Sequence, residues 1–381
     1  MRILHVITTL NRSGAESYLA DLAALQVRAG DEVHVFYMKG EGYWEQPLEE
    51  SGVVIHGGLM RRNLEVGGVL ALRRCIRETR PDICHAHMPP AELLLRLARL
   101  ARLGSGKGYG SCPVVITKHN DEPFCPGPLA RLLGRWVIRQ ANHVIAISEA
   151  VRRRRCREEL AVAEEKTEAI YYGVDELRLD PGRVAEIRAE VGAGPDSLVV
   201  GTVCRLVPQK RVDLLLQAFR DLVESSDRDW RLVIVGSGEL EASLQGQAEE
   251  FGLAGKVLWA GFQADATQWM GAFDVFALSS EFEGLGLVLL EAMSVGRPVV
   301  AFDTSAMPEV VENGVTGLLV EPFSVAALTD ALGQLEESEL RDSMGERGRE
   351  RVAERFRKEV NEAAVRAVYH RVMKREQPCA E

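Results

Sequence analysis

At 381 residues, 46% hydrophobic and 27% charged, the chain is too long for one ordinary core and reads as two globular domains of comparable size. Its net charge of −10 is uneven: residues 1–175 hold 24 Lys+Arg against 21 Asp+Glu, and residues 176–381 hold 22 against 35. The acidic second half argues against a nucleic-acid groove there, while the basic excess of the first half points to an anionic partner or surface. No apolar run approaches the roughly 20 residues of a membrane span. Residues 1–7 are too short and too soon broken for a signal peptide and read as a first strand. Seven cysteines, an odd number with no repeated spacing, read as reduced thiols of a cytosolic protein.

Strands alternate with helices from the start, which predicts an α/β chain with parallel sheets. A loop over residues 8–16 follows the first strand and leads to a helix over 18–28. Gly14, at that helix start, suits close approach of a phosphate, but the Gly-x-Gly-x-x-Gly spacing is missing and a plain turn glycine is the competing reading. Further strands are expected over 32–37, 53–56 and 82–87. Cys84-His85-Ala86-His87 has metal-ligand residue types, yet no second ligand cluster follows it and the run continues a strand, so no metal is expected. In the next helix, over 91–102, Arg96, Arg99 and Arg102 share a broad face of an otherwise apolar segment. It is either a packing helix with a basic outer face or an interfacial helix touching anionic lipid. The run Arg152-Arg153-Arg154-Arg155-Cys156-Arg157 adds a second basic stretch, and residues 107–111 form a glycine-rich loop. A β run over 114–117 places His119 at a strand C-terminus, where active-site groups of such sheets lie; a surface-loop histidine is the alternative. Residues 143–148 form the last strand of this half, with Ser148 capping the next helix.

The first domain is placed at 1–176. A linker then runs through the Asp180-Pro181-Gly182 turn to residues 192–195. The second domain, 192–359, restarts the pattern. After a strand over 198–204 come Arg205 and Lys210 beside a helix N-terminus, which is either a diphosphate clamp or a solvated basic loop. Residues 231–235 and Gly236-Ser237-Gly238 repeat the strand and glycine turn, and strands follow over 256–260, 299–302 and 317–320. The densest stretch is 279–293, after the apolar run 274–278: Glu283-Gly284-Leu285-Gly286-Leu287 makes a strand-to-helix turn, and Glu291 lies eight positions on from Glu283. A carboxylate among Leu289, Leu290, Ala292 and Met293 is costly unless something bonds it, and a ligand with paired hydroxyls would do so. Glu283 favouring a helix N-terminus and Glu291 pairing with an arginine is the plainer alternative. A C-terminal helix over about 360–381 is expected to pack back on the first domain.

Gly14-Ala15-Glu16, Ala86-His87, His119, Ile147-Ser148-Glu149, Tyr172-Gly173-Val174-Asp175, Arg205 with Lys210, Gly236-Ser237-Gly238 and Glu283-Gly284 with Glu291-Ala292-Met293 together resemble the family-4 glycosyltransferases over nearly the whole chain. The resemblance implies a GT-B fold, two Rossmann-like domains facing a cleft, and retaining transfer from a nucleotide-sugar. It places Glu291 on the nucleotide ribose, Glu283 beside the donor sugar, and the backbone around Leu285, Gly286 and Leu287 on sugar oxygens or phosphate. Arg205 and Lys210 would hold the diphosphate, Gly14 would approach it, and His119 would line the site near the transferred carbon. The acceptor would be a saccharide or lipid-linked saccharide. No metal or other cofactor is implied. The donor base, UDP or GDP, is left open.

Three positions depart from the family pattern. Ser13 stands where a first glycine is usual, Tyr172 where an asparagine is usual, and Ser305-Ala306-Met307-Pro308-Glu309 lacks the usual glycines. Two other readings remain beside transfer: an isomerase of the UDP-sugar 2-epimerase type on the same fold, and a non-catalytic nucleotide-sugar-binding protein.

Overall fold

The central apolar runs form strands buried on both faces, as parallel sheets flanked by helices require, while the edge strands over 54–57 and 257–261 are only partly covered. The structure is a computed structural model and describes residues 1–40, 42–58, 60–61, 65–100, 112–120, 127–175 and 177–376. Arg102, residues 107–111, Asp121, Cys125 and Cys379 lie outside the described residues. The chain divides into two units, one of Met1–Tyr172 with Lys358–Glu381, the other of Gly173–Arg357.

The first unit holds β1 (Arg2–Ile7), β2 (Glu32–Tyr37), β3 (Val54–Gly57), β4 (Ile83–His87), β5 (Val114–Lys118), β6 (His143–Ala146) and β7 (Thr167–Ala169). They form one sheet in the order β3-β2-β1-β4-β5-β6-β7, with every pair parallel. The three-residue β7 is absent from the sequence reading, whose last strand of this half ends at residue 148; a run this short carries no periodicity. The helix Lys358–Glu376 packs on this unit, with Arg366 bonded to Asp31 at 2.7 Å and Lys358 to Asp21 at 2.8 Å.

The second unit holds β8 (Leu198–Val203), β9 (Trp230–Val235), β10 (Val257–Gly261), β11 (Val275–Leu278), β12 (Val299–Phe302) and β13 (Gly317–Val320). Their order is β10-β9-β8-β11-β12-β13, again all parallel. The expected linker is largely helical: Pro181–Glu190 is a helix, and the Asp180 side chain accepts from the amides of Gly182 and Arg183 at its start. The Asp-Pro-Gly sequence that reads as a turn is here an N-cap with proline in the first turn, where its missing N–H is harmless.

In each sheet the strand order reverses once, between β1 and β4 and between β8 and β11. Loops at the carboxyl ends of strands flanking such a switch diverge and leave a crevice. The fold therefore selects the loops after β1, β4, β8 and β11 as candidate sites. Among the described residues, no helix is long and apolar enough to cross a membrane.

Candidate functional site

In the second unit, the loop after β8 meets the loop after β11. Gln209 Nε2 donates to the Phe282 carbonyl at 2.7 Å, and the Glu281 amide donates to the Gln209 carbonyl at 2.8 Å. The Ser279 hydroxyl lies 2.9 Å from the carbonyls of both Lys210 and Arg211. These bonds bring together Lys210 and Glu283, 73 residues apart: Lys210 Nζ lies 2.5 Å from Glu283 Oε1, with both side chains nearly buried. Each charge is thus compensated where water is scarce. Arg205 is exposed on the same loop.

Gly286 caps the helix Leu287–Ser294 with φ of 85°, a left-handed conformation that L side chains rarely adopt. In that first turn the Leu289 amide donates to the Gly286 carbonyl at 2.9 Å, and the helix start, with the amides of Leu287 and Val288, lies close to Glu283. Leu285 is buried and Leu287 half-buried. Gly236, after β9, is required by close approach: a Cβ there would sit 1.9 Å from the Cys204 carbonyl oxygen. Glu291 is half-exposed rather than sunk in the apolar face. The desolvation argument for it is therefore weaker than the sequence implies, although Leu289, Leu290, Ala292 and Met293 around it are buried.

The loop after β12 also reaches this site. Ser305 sits at φ of 52° and its hydroxyl donates to the Glu283 carbonyl at 2.8 Å. Ser305 thus takes a left-handed position and bonds the neighbouring loop.

In the first unit, Gly14 opens the helix Gly14–Arg28 and is exposed. Beside it, the buried Glu16 carboxylate accepts from the hydroxyls of Thr9 and Ser13. The serine in place of glycine therefore ties the loop to its helix. His119, just past β5, is bonded on both ring nitrogens, to His87 at 3.0 Å and to the Tyr172 hydroxyl. Tyr172 also stacks on Tyr18, with ring centroids 4.0 Å apart. Burial, and then the Lys118 charge, lower the His119 pKa to about 3, so the ring is neutral at pH 7.

Sequence reasoning misses what lies behind His119. His5 of β1 and His85 and His87 of β4 are fully buried together, because the parallel register sets His5 opposite His85. Their nitrogens come within 4.8 Å of one another, close enough to hold a metal ion. The search for a second ligand cluster near His85 fails in sequence because its partner comes 80 residues earlier, across the sheet. Burial lowers the His5 pKa to about 4 and that of His87 well below its ordinary value. The same unit has a cavity of about 300 Å³ floored by the buried pair Lys118–Glu92, 2.5 Å apart, with Leu93, Leu133 and Leu160 on its walls.

The basic surface differs from expectation. Arg99 donates to the Cys112 carbonyl at 2.7 Å and Arg96 lies over the Trp136 ring, so both serve packing inside the unit. Of the 152–157 run, Arg155 is buried against Glu159 and Arg152 pairs with Glu149, leaving Arg153, Arg154 and Arg157 exposed. Intervening glutamates, invisible as partners in a linear reading, consume much of the positive charge.

The family description "Glycosyl transferases group 1" matches residues 184–351, and "Glycosyltransferase Family 4" matches residues 12–178. The chain is 33% identical to the GDP-mannose-dependent alpha-(1-6)-phosphatidylinositol monomannoside mannosyltransferase of Mycolicibacterium smegmatis, over 85% of this chain and 86% of that one. The chain belongs to the family-4 glycosyltransferases. This glycosyltransferase is also 34% identical to the D-inositol 3-phosphate glycosyltransferase of Actinosynnema mirum, over 86% and 84% of the two chains. Its fold is GT-B: the crystal structure of Anabaena Alr3699/HepE in complex with UDP superposes with a TM-score of 0.81 at 25% identity, covering 97% of this chain and 100% of that one.

Proposed function

We propose that the protein is a retaining glycosyltransferase that moves a sugar from a UDP- or GDP-linked donor to a saccharide or lipid-linked saccharide, without a metal, at the cytoplasmic side of a membrane. The observation that carries this reading is the second unit's switch point, where Lys210, Glu283 and the amides of helix Leu287–Ser294 gather. Breaking a sugar–phosphate bond leaves negative charge on the diphosphate. A cation and fixed N–H dipoles stabilise that charge without reorganising. In this reading Glu283 aims the Lys210 ammonium, Arg205 closes on the phosphate from the exposed side of the same loop, and Glu291 accepts from the ribose hydroxyls. The Leu285–Leu287 backbone and Gly236 allow close approach, and Gly14 and His119 act from the first unit. A GDP-mannose-dependent relative and a UDP-bound structure of the same fold support a nucleotide-sugar donor.

The cavity floored by Lys118 and Glu92 is the acceptor site we favour, because it joins apolar walls to a polar floor. Contact with an anionic membrane would fall to the exposed Arg153, Arg154 and Arg157 and to Leu129 and Leu132 of the neighbouring helix Pro128–Ile138. The test is donor turnover by the purified enzyme, in EDTA, with the anomeric configuration of the product read by NMR. Transfer with retention, lowered about 10²–10³-fold in Lys210→Ala, supports the reading. An epimerised nucleotide-sugar would favour the isomerase, and donor binding without turnover a binding protein.

A further inference from the structure

The buried histidines of the first unit form a chain of bonds with one direction. Gln26 Oε1 can only accept, and it lies 2.8 Å from His5 Nε2, so that nitrogen carries the proton. A neutral imidazole has one N–H, so His5 Nδ1 accepts, and its neighbour at 3.0 Å, His87 Nε2, donates. His87 Nδ1 must then accept from His119 Nε2, also at 3.0 Å, and His119 Nδ1 accepts from the Tyr172 hydroxyl. Burial keeps all three rings neutral. On the far side, Gln26 Nε2 donates to the Tyr369 hydroxyl of the C-terminal helix at 3.4 Å. Turning that one amide over would reverse every bond and move the proton to Nδ1 on all three rings.

We propose that Gln26, His5 and His87 are positioning residues that lock His119 in its Nε2–H tautomer, so that His119 Nδ1 is held as a hydrogen-bond acceptor at the strand end. The consequence for the proposed reaction, on which the kinetic part of this inference rests, concerns the His119 Nδ1 that Tyr172 now occupies. A substrate hydroxyl can be received there only as a donor and only by displacing Tyr172. His119 then orients a hydroxyl and does not protonate one. The same three-histidine cluster has metal-holding spacing, but every nitrogen of His5 and His87 already has a partner in the bonded chain.

The test is long-range ¹⁵N–¹H NMR of the histidine-labelled, full-length protein without ligand, with metal content measured on the same sample. The expected result is Nε2 protonated and Nδ1 unprotonated on His5, His87 and His119, with no bound metal. Gln26→Glu, whose carboxylate also only accepts, should keep that pattern, while Gln26→Leu should lose it. An Nδ1–H on His119, mixed tautomers in the wild type, or one equivalent of zinc on the cluster would overturn the proposal. In turnover, Gln26→Leu should lower kcat about tenfold, the worth of one ordinary hydrogen bond, with donor KM unchanged and activity restored in Gln26→Glu. Normal kcat in a Gln26→Leu protein with scrambled tautomers would overturn the positioning role. A wild type with the expected tautomers but no transfer activity would instead sink the functional reading and leave the locked chain standing.

Discussion

The two units share a strand–turn–helix plan and a single switch point, yet they place opposite chemistry at it. The first unit holds all eight histidines of the chain, and residues 173–357 hold none. At its strand ends neutral rings hand hydrogen bonds from one to the next, while the second unit sets a cation, a carboxylate and helix amides there. A neutral, fully bonded array orients a group without binding charge strongly; a cation held by a carboxylate at a helix N-terminus favours an anion. Under the proposed function, the same scaffold would divide into orientation in one unit and charge stabilisation in the other.

The contrast breaks most sharply at Lys210. Lys210→Ala should lower turnover by about 10²–10³, the usual effect of removing one fixed charge-stabilising group. It should also weaken UDP or GDP binding more than nucleoside binding, as calorimetry with both ligands would show; equal losses would contradict a phosphate role. Glu291→Ala comes next. It should weaken nucleoside and nucleotide alike, roughly 10–100-fold, as expected for hydrogen bonds to a charged acceptor.

Acid separates the units by a different route. The folded pKa values of His5 and His119 lie below the unfolded value, at about 4 and about 3, so the unfolded state binds more protons between them. Stability contributed by these rings is full above pH 6.5 and falls as the pH drops toward 4. The expected loss is up to about 1.4 kcal/mol per pH unit for each histidine. Hydrogen exchange between pH 7 and 5.5 should therefore show protection falling in the first unit and holding in the second. Equal loss in both would contradict the assignment. Tyr172→Phe is the smallest change. It leaves His119 Nδ1 without its donor and should lower thermal stability by about 1 kcal/mol while leaving UDP binding as it was.

The second unit's site was largely legible in sequence because its residues cluster in two loops: Arg205 with Lys210, and Glu283 through Glu291, each bounded by glycine or proline. What could not be read was that Lys210 and Glu283 pair with each other, since that depends on β8 and β11 being neighbours. In the first unit, His119 stood out by its place after a strand, but His5, Gln26, His87 and Tyr172 are scattered over 168 positions and converge only through sheet register. The basic faces misled for a related reason. Arg99 and Arg155 read as surface charge until the carbonyl and glutamate that bond them are seen. β7 escaped because three residues carry no period, and the helix over 181–190 because its Asp-Pro-Gly start reads as a turn.

The most direct measurement is thermal unfolding of the wild type and of Glu291→Ala with UDP, GDP, ADP and NAD at saturating concentrations. Ligand at 100 times its dissociation constant adds about 2.7 kcal/mol, a readily resolved shift. Stabilisation by UDP or GDP alone, lost in Glu291→Ala, is the predicted result. No response to any nucleotide diphosphate, or an equal response in the variant, would contradict a donor site at the second unit's switch point.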